Sequence, residues 1–228
     1  MQPRLLVPGV YLLPFEIGQV YLWDRPDGLT VVDTSIDGSA DAIVEAIRAI
    51  GRQPKQVTEI VLTHVHDDHR GGAAELARQT SATVIAHRAE APVIRGKQPQ
   101  QPPVLLDFER PIYDAVAPRV PSAQPVAVDR EVEDGDTIAG GGVIVHVPGH
   151  TPGSIALLLP TLGVLFTGDG IASHEGRPIL GVFNVDRAEA IGSLRKQAKL
   201  EVEVACFGHG EPIVGGASSR LRALAETL

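Results

Sequence analysis

The segment Thr63-His64-Val65-His66-Asp67-Asp68-His69-Arg70-Gly71-Gly72 gathers three imidazoles and two carboxylates between positions 64 and 69. It follows Glu59–Leu62, a short apolar run that reads as a buried strand, so the segment leaves that strand at its C-terminal end. In an extended chain His64 and His66 share a face and can reach one ion. Asp68 and His69 lie past the strand end, where a turn directs them to a second ion. Imidazole and carboxylate ligands suit zinc, iron or manganese and need no cysteine. Gly71-Gly72 predicts a tight turn into a helix over Ala73–Gln79.

Outward from this segment the chain shows one pattern twice. Val10–Phe15, Gln19–Asp24 and Leu29–Asp33 read as strands between Gly and Pro turns. A helix opened by Ser39 or Asp41 follows, with Ala42, Ile43, Ala46, Ile47 and Ile50 on one face and Gly51 at its end. In the second half Val143–Val147, Ser154–Leu159 and Gly163–Thr167 read as strands, Arg187–Leu200 as a helix and Val202–Phe207 as a strand. Two mixed sheets flanked by helices, a four-layer αββα sandwich of α/β (α+β) class, bury both sets of strands. The expectation is one domain over residues 1–228.

Three more candidates leave strands in the second half. His150 stands in the turn Pro148-Gly149-His150-Thr151-Pro152-Gly153, Asp169 follows Phe166-Thr167-Gly168, and His209 lies between Gly208 and Gly210. A single His beside Gly is weak evidence. Four segments that all end strands and together carry seven nitrogen or oxygen ligands are strong evidence.

The order His-x-His-x-Asp-His, then His, Asp and His, resembles the metallo-β-lactamase fold superfamily. The form Thr-His-x-His-x-Asp-His-x-Gly-Gly resembles its glyoxalase II-like hydrolases. The resemblance covers nearly the whole chain and implies the αββα fold and two divalent metal ions, zinc first, with iron or manganese as alternatives. It implies that His64, His66 and His150 hold one ion, that Asp68, His69 and His209 hold the other, and that Asp169 bridges them. His66 stands where flavin-linked oxygen reductases of this fold carry Glu, and Asp169 where many zinc β-lactamases carry Cys. Glyoxalase II enzymes continue into a basic glutathione-binding region, whereas this sequence ends shortly after His209, which sets the expectation away from a glutathione thioester.

Two neighbouring cations lower the pKa of a shared water, and a metal-bridging hydroxide is the expected nucleophile. Asp68 is also the candidate catalytic acceptor of that hydroxide's proton. Asp33, the first-half counterpart of Asp169, reads either as a carboxylate that orients a ligand imidazole or as a turn cap. His174 and Tyr113 are candidates for the pocket and for proton donation to the leaving group. His146 reads as structural, His87 as a surface residue near the pocket edge, and Cys206 as a small buried hydrophobe.

The insert between the halves, about residues 92–125, carries eight of the 18 prolines together with Leu105, Leu106, Phe108, Ile112 and Tyr113. A long irregular segment with such side chains reads as a lid or substrate loop, and a homodimer contact is its other use. A net charge of -8 argues against nucleic acid and anionic membrane as general partners. With 43% hydrophobic residues the 228-residue chain has enough apolar material for a sizeable core. One cysteine, no secretory pattern and no transmembrane-length stretch lead to a cytoplasmic expectation.

The sequence thus points to a binuclear hydrolase of a small ester-type substrate with an apolar part: a thioester, lactone or carboxylic ester. The alternatives are a mononuclear iron dioxygenase of the persulfide dioxygenase type and a phosphodiesterase of the same fold.

Overall fold

The computed structural model describes residues 2–228, which divide into two compact units. The first comprises the chain up to Pro99 together with Val120–Val132; the second comprises Gln100–Arg119 and Glu133–Leu228.

The first unit is a seven-stranded sheet: β1 (Arg4–Val7), β2 (Val10–Leu13), β3 (Val20–Arg25), β4 (Gly28–Val32), β5 (Val57–Val61), β6 (Thr83–His87) and β7 (Arg130–Val132), in that spatial order. β1 to β4 form an antiparallel meander, and β4 to β7 run parallel. Its helices are α1 (Ala40–Ala49), α2 (Asp67–Arg70), α3 (Ala73–Thr80) and α4 (Ala91–Ile94). β1 was not expected from the sequence. It is the sheet's exposed edge, bracketed by Pro3 and Pro8, which suits a strand that pairs on one side only.

Ile43, Val44, Ala46 and Ile47 of α1 pack with Leu76 of α3 onto Leu22, Leu29, Val31 and Ile60 of the sheet. Each fully buried Ile, Leu or Val contributes about 1.5–3 kcal/mol relative to exposure. That packing fixes the strands whose C-terminal ends matter. β4, β5 and β6 are parallel neighbours, so Asp33, the Thr63 segment and His87 all lie at one end of the sheet.

The second unit has a five-stranded sheet, built from β8 (Val143–His146), β9 (Ile155–Leu159), β10 (Val164–Phe166), β13 (Val204–Cys206) and β14 (Ile213–Val214) in the order β14-β13-β10-β9-β8. β11 (Ile171–His174) and β12 (Arg177–Leu180) form a separate hairpin, and α5 (Arg110–Val116), α6 (Arg187–Gln197) and α7 (Ala217–Glu226) are its helices. Leu194 of α6 and Leu221 of α7 pack with Val145, Ala156 and Leu165 of the sheet. Asp186 starts α6 by accepting the Glu189 N–H at 2.9 Å. Mixed sheets flanked by helices match the expected sandwich class. The insert is less irregular than its prolines imply, because Pro111 sits in the first turn of α5, where its missing N–H costs nothing.

Candidate metal centre

In the first unit a buried carboxylate organises the histidine segment. Asp33, just past β4, accepts the Thr63 N–H through Oδ1 at 2.8 Å and the Thr63 hydroxyl through Oδ2 at 2.7 Å. The same Oδ2 lies 2.9 Å from His69 Nδ1. Asp33 has φ 57°, a left-handed conformation that Asp tolerates better than most residues. Thr63 Oγ1, having given its proton to Asp33, faces His64 Nδ1 at 3.0 Å and can only accept from it. This network assigns the ring protons of both His64 and His69 to Nδ1 and leaves both Nε2 atoms as lone pairs.

Each of these Nε2 atoms lies near a further side chain able to ligate a metal. His64 Nε2 stands 3.1 Å from His66 Nδ1, and His69 Nε2 stands 3.8 Å from Asp68 Oδ2. The rings of His64 and His69 are fully buried, with centroids 4.2 Å apart. Asp33 thus contacts the His69 ring directly and reaches the His64 ring through Thr63.

Gly71 and Gly72 serve a different purpose from the one the sequence suggested. Both have right-handed helical backbones, so no special turn requires them. A Cβ on Gly71 would strike the backbone of Ile36 and Asp37, and one on Gly72 would strike Ser39 Oγ and the Thr34 carbonyl. The glycines let the histidine segment lie against the chain that follows Asp33. Arg70, not among the residues expected from the sequence, also holds the segment. Its guanidinium donates to the Val65 carbonyl at 2.7 Å, the Asp67 carboxylate at 2.6 Å and the Gln124 carbonyl at 3.4 Å. Burial draws the Arg70 pKa below its usual value, and Asp67 partly offsets this. An arginine amid acidic and histidine ligands was the available signal.

In the second unit a single oxygen links two histidines. Asp169 Oδ2 lies 3.8 Å from His150 Nε2 and 3.3 Å from His209 Nε2. β10 and β13 run parallel with Phe166 opposite Cys206, so Asp169 and His209 each emerge three residues past a matched pair. His150 is held by its turn, whose Pro148 carbonyl accepts from Ser193 Oγ at 2.6 Å. Gly149 adopts φ 122° against the backbone of Ala190, where no side chain fits.

The remaining candidates divide. His174 is exposed at the end of β11, paired in register with Arg177. Tyr113 packs edge-on against Phe183, with centroids 5.2 Å apart. His146 Nε2 lies 3.0 Å from the Pro152 carbonyl, as a structural residue should. Contrary to the surface position expected for it, His87 is buried at the end of β6, its Nδ1 accepting the Ala89 N–H at 3.3 Å. Cys206 is buried, and burial pushes its thiol far above the ordinary value, so it is inert. Among the described residues no helix is long and apolar enough to cross a membrane.

Each unit thus carries a cluster of side chains able to ligate a metal. Comparison with known proteins gives a match to the family model for the metallo-beta-lactamase superfamily over residues 13–209. The chain is 32% identical to the probable metallo-hydrolase YybB of Bacillus subtilis (strain 168), over 94% of this chain and 93% of that protein. It is 32% identical to a hydroxyacylglutathione hydrolase of Fuscovulum blasticum over 72% of this chain, which spans 52% of that enzyme. A mutant metallo-beta-lactamase from Cronobacter sakazakii shares the fold, with a TM-score of 0.76 at 23% identity, over 100% of this chain and 94% of that one.

Proposed function

The chain belongs to the metallo-beta-lactamase superfamily, and from that premise we propose that it is a binuclear hydrolase of a small ester-type substrate: a thioester, lactone or carboxylic ester. Membership and the donor clusters make it a metal-dependent hydrolase. The two-ion reading rests foremost on Asp169, one of whose oxygens faces the Nε2 atoms of two histidines. A carboxylate so placed is suited to bridge.

The donor set fits divalent cations. His64 Nε2 and His66 Nδ1 face each other at 3.1 Å with the other nitrogen of His64 already engaged, so the two nitrogens are close enough to ligate one cation together. In this reading His64, His66 and His150 would hold one ion and Asp68, His69 and His209 the other, with Asp169 available to both. Zinc suits ligands of this kind best, with iron or manganese as alternatives. When bound, two such ions draw the pKa of a shared water toward neutrality and polarise a carbonyl oxygen.

The protein's own residues do the rest. Asp33 and Thr63 keep His64 and His69 in the tautomer that presents Nε2. Asp68, close to His69 Nε2, accepts a proton in the hydrolytic step. The insert's apolar side chains bind the non-reacting part of the substrate. The net charge of -8 disfavours polyanionic substrates, and the relative named for hydroxyacylglutathione puts thioesters first. The inert, lone Cys206 suits a reducing cytoplasmic setting.

A substrate panel tests this: thioesters, lactones, aryl esters and bis-aryl phosphate, each with zinc, manganese and iron. Turnover of an ester-type substrate with two ions bound supports the reading. Preferential cleavage of bis-aryl phosphate replaces it with a phosphodiesterase, and iron-dependent oxygen uptake with a persulfide replaces it with a dioxygenase.

A further inference from the structure

Glu109 is a carboxylate with only 1% of its surface exposed and no part in the metal cluster. Its Oε2 accepts the Leu106 N–H at 2.9 Å, and its Oε1 accepts the Phe183 N–H at 3.2 Å. A buried carboxylate is costly to maintain for an insert that does nothing. What it grips is residues 181–186, the short strap that follows β12.

That strap connects two proposed ligands. At its start Gly181 N–H donates to the Gly170 carbonyl at 3.2 Å, beside Asp169, and a Cβ on Gly181 would strike the Asp169 carbonyl. At its end the Val185 N–H donates to the His150 carbonyl at 3.2 Å and the Asp186 N–H to the Gly149 carbonyl at 2.8 Å. In its middle Phe183 has φ 62°, a left-handed backbone that is unfavourable for a bulky residue and persists only where neighbours impose it. The neighbours come from the insert: Glu109 on the Phe183 N–H, the Tyr113 ring on the Phe183 ring, and the Val104 N–H on the Asn184 carbonyl at 2.9 Å.

We infer that Glu109 is a positioning residue. By clamping the midpoint of the strap it fixes the separation of His150 and Asp169, so the insert governs metal affinity as well as contacting substrate. The inference rests on the reading of His150 and Asp169 as ligands. It also makes the insert's residues 104–113 a fastened wall of the second unit rather than a free flap.

The test is zinc affinity by chelator competition on purified full-length protein, with the melting temperature of the metal-free form measured in parallel. Glu109→Ala should weaken the affinity by about 10-fold, the range found when the supports of metal ligands are removed. Tyr113→Leu, which removes only the ring contact and leaves no buried group unpaired, should weaken it by about 3-fold and serves if Glu109→Ala fails to fold. Asp114→Ala, exposed on α5, should leave it unchanged. Cobalt-substituted Glu109→Ala should also show a shifted visible spectrum. Metal-free melting lowered with unchanged zinc affinity and unchanged cobalt spectrum would mean a merely structural carboxylate and overturn the inference. Asp169→Ala is the reference: if it too leaves zinc affinity unchanged, the ligand assignment itself has failed.

Discussion

Asp33 Oδ2 accepts from both Thr63 Oγ1, at 2.7 Å, and His69 Nδ1, at 2.9 Å, so one buried oxygen orients the His69 ring directly and, through Thr63, the His64 ring five positions before it. Asn in its place offers one oxygen and one NH2 to three incoming donors, and a donor is left facing a donor. Asp33→Asn should therefore lose about 10-fold in zinc affinity and about 1–3 kcal/mol in stability, with no ligand removed. Chelator competition and urea unfolding read the two effects separately. Complete metal loss would make Asp33 a ligand instead of an orienting group.

The glycines of the motif predict a contrast. Gly71→Ala places a methyl group against the Ile36–Asp37 backbone and should cost about 1–3 kcal/mol. Gly192→Ala, within α6 with nothing within 4 Å of the added carbon, should stabilise by roughly 0.5–1 kcal/mol. Urea midpoints at constant slope check both, and equal effects would show that close approach is not why Gly71 is glycine.

The insert's outward side predicts a substrate effect. Phe108, Ile112 and Val116 recur every four residues and are 58%, 47% and 38% exposed, an apolar stripe beside the Glu109 and Tyr113 anchors. Phe108→Ala with Ile112→Ala should raise KM several-fold for long acyl chains, spare short ones and leave metal content intact. If the stripe is a homodimer contact, the variant turns monomeric by sizing chromatography and chain length ceases to matter. No change in KM or in size defeats both uses.

How much of this was legible before the structure varies by residue. The seven candidate ligands could be read because metal chemistry restricts residue type and because strand ends are marked by apolar runs stopping at Gly. Asp33 was legible as a strand-end carboxylate, but its service to two rings through Thr63 was not, since positions 33, 63 and 69 meet only once β4 and β5 pair. The histidine segment read as a turn but forms the helical turn α2, and the chain just after it lies against Ile36 and Asp37 at Gly71 and against Thr34 and Ser39 at Gly72, which decides both glycines. His87 looked like a surface residue because nothing local reveals that the β6 end is covered. Glu109 carries no motif at all; its meaning depends on Phe183, 74 positions away.

Two metal ions sharing Asp169, as proposed, are best read by elemental analysis set against activity. Protein purified without chelator should carry close to two ions per chain, and Asp169→Ala should fall well below that with hydrolysis lost. A stable content of one ion per chain with full hydrolytic activity would contradict the account.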